Sequence, residues 1–258
     1  FFSLAGVKND DYEGAIKLIE FEISDIYRRI KHNLDLEKLS EDDRNIIENM
    51  STGIDEYKAL TAIKMLSGIL SRYYGKKVIL LLDEYDTPMI EAYFSGYWDK
   101  MIKFMRTFFN NTLKSNTYIE KALLTGITRV SKESMFSDMN NLYVASITTH
   151  RYETAFGFTE AEVFAALDHV KLGKYKKRVK QWYDGFVIGR CRDIYNPWSI
   201  TNYLDKKEFK TYWADTSSNS LVGKLIQRGS PKIKKAMEKL LNGEYITVGI
   251  DEQIVFDQ

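Results

Sequence analysis

Val78-Ile79-Leu80-Leu81-Leu82-Asp83-Glu84-Tyr85-Asp86-Thr87-Pro88 is the stretch whose reading decides the fold. Five consecutive aliphatic residues run straight into two carboxylates. A strand with one wet face alternates apolar and polar residues, and this stretch does not. A short all-apolar run bounded by turn signals predicts a strand buried on both faces, as in a parallel sheet. Burying five such side chains is worth on the order of 10 kcal/mol before entropy is counted. Asp83 and Glu84 then stand at the carboxyl end of a core strand, the edge where open α/β sheets bind ligands. Neighbouring strand residues point to opposite faces, so the two acids are expected to do different jobs at one mouth. Thr87-Pro88 reads as the N-cap and first position of the following helix.

An Asp at such an edge suits Mg²⁺, usually through water, and a Glu beside it suits polarising an attacking water. A polyphosphate repels bare carboxylates, so a metal has to mediate. Four or more aliphatics followed by Asp-Glu is the Walker B pattern of P-loop ATPases. The same pattern also fits a buried strand that ends in a solvated acidic turn. A second apolar run, Ile119 to Leu124, continues into Thr125-Gly126-Ile127-Thr128-Arg129. It predicts another buried strand, bringing hydroxyls and a guanidinium to the same rim. The planar fork of Arg129 matches phosphate oxygens and stays charged, as a γ-phosphate sensor requires. Pairing of Arg129 with a surface acid is the other reading. The phosphate cradle itself, G-x-x-x-x-G-K-[ST], is absent from the sequence, and so is G-x-G-x-x-G. It is expected upstream of Phe1.

The rest of the chain alternates helices with strands. Residues 1–5 read as a short strand closed by Gly6. Helices are expected from about Asp11 to Leu34 and from a Ser40 start. Two more are expected from about Asp55 to Tyr74, with Gly75 at C′, and from about Trp98 to Lys114. Leu142 to Ile147 reads as a third, weaker strand. Such alternation implies βαβ units. From about Thr148 the texture changes to helices and loops, so residues 1–147 and 148–258 are expected to form two domains. Thr159-Glu160-Ala161-Glu162 opens a helix as a capping box. Gln181 to Phe186 contains an Asp-Gly turn, Pro197 starts a helix, and Asp215 to Asn219 reads as a further cap. The basic run Lys174, Lys176, Lys177, Arg178 and Lys180 reads as a solvated helix face. His32, His150 and His169 lack metal-ligand spacing.

Composition narrows the partners. With 258 residues and 44% hydrophobic content the chain supports a real core. A net charge of +1 gives no global pull toward nucleic acid or acidic lipid. The single cysteine, Cys191, excludes an intrachain disulfide and fits a reducing cytoplasm. The longest aliphatic run is far too short to span a membrane. Phe1 to Ala5 and Ile254 to Gln258 both read as strands in mid-course, so the sequence is expected to be a piece of a longer protein.

The chain resembles the bacterial AAA-ATPase-like family of predicted P-loop ATPases, akin to the signal-transducing STAND class. The likeness rests on Tyr73 to Pro88, Leu124 to Ser134, Phe156 to Glu160, Trp182 to Gly185, Tyr195 to Ser199 and Tyr212 to Asn219. It implies a P-loop NTPase-like parallel sheet flanked by helices, lacking its first strand and phosphate loop, and a mostly helical second domain. It implies ATP and Mg²⁺ as ligands, with Asp83 as the metal residue, Glu84 as hydrolytic base and Arg129 as sensor. Thr125 and Thr128 join Arg129 on the nucleotide side. It implies a nuclease-like domain downstream, with nucleic acid as its partner, and leaves room for an oligomer. The competing reading is a non-hydrolysing scaffold module.

Overall fold

The computed structural model describes residues 1–114, 116–128, 135–136, 139, 142–213, 223, 226–227, 229–247 and 249. Arg129, the proposed cap at 215–219 and the proposed strand at 254–258 lie outside them. The described residues form two compact units, one of residues up to Met139 together with Gly249 and one from Leu142 to residue 247.

The first unit begins with strand β1 (Phe2–Ser3) and helices α1 (Tyr12–Asn33), α2 (Glu41–Thr52) and α3 (Glu56–Tyr74). Each helix starts where a short polar side chain can take an otherwise unpaired amide. Asp11 accepts from the Gly14 N–H, Ser40 from Asp43 and Asp55 from Lys58. Gly75 closes α3 in the left-handed region, at φ +63°. Ile16, Ile19, Ile23 and Tyr27 form the buried stripe of α1, and the Tyr27 hydroxyl donates to the Ala62 carbonyl at 2.7 Å. Buried Asp43 holds α2 to α3 through the guanidinium of Arg72, whose Nε is 3.0 Å away.

Strand β2 (Val78–Asp83), helices α4 (Thr87–Ser95) and α5 (Trp98–Leu113) and strand β3 (Ile119–Leu124) complete the unit. The sheet order is β1-β2-β3, and both pairings are parallel. Parallel neighbours need long crossovers, which α1 to α3 and then α4 and α5 supply. Phe108 of α5 meets Phe2 of β1 with ring centroids 6.2 Å apart, and both are buried.

One expectation fails here. Leu80 and Leu82 are buried, but Ile79 is 60% exposed and Leu81 41%. Leu123, in register with Leu81, is 55% exposed. The unbroken apolar run therefore does not mark two covered faces. The pleat sends alternate residues to opposite sides, and among the described residues only one side is packed over.

The second unit carries β4 (Phe158–Thr159), α6 (Glu160–His169), α7 (Lys176–Tyr183), β5 (Asp184–Ile188), β6 (Cys191–Tyr195), α8 (Pro197–Lys206) and α9 (Pro231–Leu241). Thr159 and Glu162 form the expected capping box. Asn196 caps α8, with Pro in its first turn. The unit is less purely helical than expected, because β4, β6 and β5 form a small antiparallel sheet in that order. Asp184-Gly185 opens β5 instead of turning. The reversal comes at Gly189, at φ +58°. Leu142 to Ile147 is not a strand: it has no ladder partner among the described residues, and Tyr143, Val144 and Ile147 stay exposed. Val163, Leu167, Val179, Tyr183, Tyr195, Ile200 and Tyr203 make the core.

Candidate functional site

The carboxyl edge of the parallel sheet gathers three acids within four residues. Asp83 is the last residue of β2, half-buried, and its carbonyl accepts from the Leu4 N–H at 2.9 Å. Glu84 follows in the left-handed region, at φ +50°. The chain thus leaves the strand at Glu84, so the expected division of the two acids between opposite sheet faces does not hold. A non-glycine residue held there costs about 1–2 kcal/mol, a strain typical of ligand sites. Asp86 takes the cap position of α4, and Thr87 and Pro88 are its first two residues, so the helix begins one residue earlier than the sequence suggests.

Each acid receives a threonine hydroxyl. Thr125 Oγ1 donates to Asp83 Oδ1 at 2.6 Å, Thr87 Oγ1 to Glu84 Oε2 at 2.9 Å and Thr128 Oγ1 to Asp86 Oδ2 at 2.7 Å. The backbone joins the two rims as well. Tyr85 N–H donates to the Thr125 carbonyl at 3.0 Å, and Thr125 N–H to that of Leu82 at 2.9 Å. Thr125 and Thr128 therefore lie on the same rim as Asp83 and Glu84. Their hydroxyl protons are committed to carboxylates, and a hydroxyl has only one to give. In this arrangement they support the acids and have no proton for a phosphate oxygen.

No lysine or arginine among the described residues pairs with Asp83, Glu84 or Asp86. Asp83 Oδ2 has no hydrogen-bond partner among them either. One free carboxylate oxygen, with the remaining positions left to water and phosphate, is a donor set that suits Mg²⁺. A protein-only cage is a different arrangement, and no cluster of three or more His, Cys, Asp or Glu side chains suited to a metal occurs among the described residues. The shallow depression lined by Leu70, Tyr74, Lys76, Lys77 and Val78 lies at the amino end of β2, away from the acids.

The second unit holds an acidic cluster of another kind. Lys180 Nζ lies 2.5 Å from Glu160 Oε2, 3.0 Å from Asp193 Oδ2 and 3.9 Å from Asp184 Oδ2. The Tyr195 hydroxyl donates to Glu160 Oε2 at 3.1 Å. Burial, helped by Asp193, pushes the Asp184 carboxyl up, while the Lys180 ammonium holds Asp193 down. Lys180 and Lys176 of the basic run stay partly exposed but are engaged in ion pairs, Lys176 with Asp168 at 2.6 Å. Tyr183 is packed, and its hydroxyl donates to the Lys210 carbonyl at 3.0 Å.

Sequence reasoning missed Asp86. The signal was present as a third acid three residues after Asp83, but its partner Thr128 is 42 residues away.

A parallel sheet whose central strand ends in solvent-facing acids defines an α/β protein of the kind that binds ligands at its strand ends. The family model of predicted AAA-ATPases matches residues 2–136, and the chain belongs to this AAA-ATPase-like family. The chain is also 30% identical over 168 residues to a protein of Azotobacter chroococcum mcd 1 described as "Uncharacterized protein in vnfD 5'region". That alignment spans 63% of this chain and 32% of the Azotobacter protein's length. No solved structure matches the chain. No helix among the described residues is long and apolar enough to cross a membrane.

Proposed function

We propose that the intact protein is a P-loop-type ATPase that binds Mg·ATP at the rim formed by β2 and β3. The observation that carries this reading is the pair Asp83 and Glu84, half-buried at the end of the central parallel strand with only hydroxyls for partners. Asp83 would hold the metal, directly or through water, and a bound Mg²⁺ would supply neutralisation of phosphate charge, which is most of what phosphoryl transfer asks of a protein. Glu84 takes the proton of a water whose oxygen attacks the γ-phosphorus. The bond to the β,γ-bridging oxygen breaks, and ADP leaves with its electrons. Thr125 keeps Asp83 turned toward the ligand, and Arg129 senses the γ-phosphate. The cycle serves as a switch that acts on the second unit.

The test is ATP binding and turnover by the full-length protein and its Glu84→Gln variant. Loss of a general base costs about 10²–10⁴-fold, so turnover is expected to fall by about 10²-fold or more while ATP affinity is kept. Equal turnover in both proteins removes Glu84 from its role. ATP bound without turnover by the wild type makes the domain a non-hydrolysing module.

A further inference from the structure

Asp86 sits at the cap position of α4, yet its side chain makes no capping bond. A capping Asp normally accepts from an amide in the first helical turn. Here Oδ2 instead accepts both the N–H and the hydroxyl of Thr128. The side chain is 1% exposed, and Oδ1 is buried with no hydrogen-bond partner. Burying a carboxylate oxygen without a donor is unfavourable. The first-turn amides of α4 offset part of that cost through the helix dipole, but stability alone does not select this arrangement.

The neighbours of Asp86 are fitted to the same end. The Tyr85 hydroxyl donates to the Thr128 carbonyl at 2.8 Å, while its ring packs on Phe109 and Phe136. Thr128 is therefore held at its N–H, its hydroxyl and its carbonyl at once. Gly126 leaves no room for a side chain. A Cβ there lies 2.5 Å from Asp86 Oδ1 and 2.8 Å from Tyr85 Cε1. Between the two held threonines stand only Gly126 and the exposed Ile127.

We infer that Asp86 is a positioning residue. It latches the segment 125–128 onto the segment 83–86 and so keeps Thr125 on Asp83 and fixes the aim of both rim acids. This rests on the ATPase reading for its consequence, but not for its geometry. The needed group is one acceptor oxygen, which Asn supplies in the same place, so rescue by the amide separates positioning from any role of the charge.

The experiment compares Asp86→Ala, Asp86→Asn and Gly126→Ala in the full-length protein. Misaiming reactive groups by a fraction of an ångström to an ångström costs about 10- to 100-fold. Asp86→Ala and Gly126→Ala are expected to lower kcat about tenfold or more with KM for ATP within about threefold, and Asp86→Asn to stay within about threefold of wild type in both. Hydrogen exchange at the Thr128 amide supplies a readout that needs no activity. That amide is expected to exchange about tenfold or more faster in Asp86→Ala and at the wild-type rate in Asp86→Asn. If the wild type hydrolyses no ATP, the ATPase reading fails alone and exchange still decides the latch. Unchanged exchange in Asp86→Ala, or Asp86→Asn as impaired as Asp86→Ala, overturns the inference.

Discussion

Two acidic clusters of this protein carry similar charges and opposite chemistry. In the second unit, Glu160, Asp184 and Asp193 surround the ammonium of Lys180. In the first, the side chains of Asp83 and Glu84 meet only threonine hydroxyls among the described residues, and Asp86 meets a threonine hydroxyl and its amide, with no cation beside any of the three. A hydroxyl orients a carboxylate without cancelling its charge. The lysine-centred cluster contains its own counter-ion and reads as a brace between α6, α7 and the antiparallel sheet. The hydroxyl-supported rim leaves charge unmatched on two half-exposed acids, and unmatched charge at a strand end calls for a cation from outside. What separates a site from a brace here is the missing counter-ion and not the number of acids.

The sharpest way to break the contrast is to give the rim a lysine of its own. Thr125 is exposed, so Thr125→Lys is expected to fold. Its ammonium beside Asp83 takes the place that the proposed function gives to the metal. Mg²⁺-dependent ATP turnover of the full-length protein is expected to fall by about 10²-fold or more, the scale of losing one electrostatic group in a catalytic site. Turnover kept within about threefold means that Asp83 needs no external cation.

Gly126→Ala tests the packing beneath the rim. Overpacking of this kind costs about 1–3 kcal/mol, and chemical denaturation of the first unit should report a loss in that range. An unchanged midpoint indicates that Asp86 and Tyr85 yield without strain.

Asp43 extends the comparison to a third acid, one with a resident arginine. The hydrogen bond from Arg72 holds its carboxyl below the ordinary value of 3.8, against an opposing push from burial. A folded-state value below the unfolded one stabilises the fold above about the unfolded value, and that contribution fades as pH falls through the folded value. Asp43→Asn should therefore be less stable than wild type near neutrality, by about 1 kcal/mol after screening at the half-exposed Arg72. The gap should close in thermal melts taken well below pH 3.8. A gap that persists in acid assigns the effect to packing.

The smallest effect is expected at Lys180→Met. It should lower the melting temperature of the second unit, most clearly near neutral pH where Asp193 is ionised, and leave ATP affinity unchanged. Weakened ATP binding in this variant would make the second cluster part of the site.

Much of this organisation is legible in the sequence, wherever a local signal decides. Asp11, Ser40, Asp55, Gly75, Thr159 and Asn196 mark helix ends because a cap acts within a few residues. The acids at the end of β2 are legible because an aliphatic run broken by carboxylates has one sensible place in a sheet. The remainder depends on distant partners. The exposure of Ile79 and Leu81 turns on what covers the sheet, which no periodicity encodes. The antiparallel sheet escaped notice because Cys191-Arg192-Asp193-Ile194-Tyr195 alternates poorly and β4 is only Phe158–Thr159. α9 begins at a Ser230-Pro231 signal that was open to reading, but none of its residues is fully buried. Asp86 looked like part of an acidic turn because its partner is remote in sequence.

The most direct measurement is Mn²⁺ binding, followed by electron paramagnetic resonance, to the full-length protein with ATP present, since Mn²⁺ shares the oxygen-ligand preference of Mg²⁺. Asp83→Asn should weaken Mn²⁺ by about tenfold or more, and Asp193→Asn should leave it unchanged. Equal affinity in wild type and Asp83→Asn would contradict the assignment of the rim as the metal–nucleotide site.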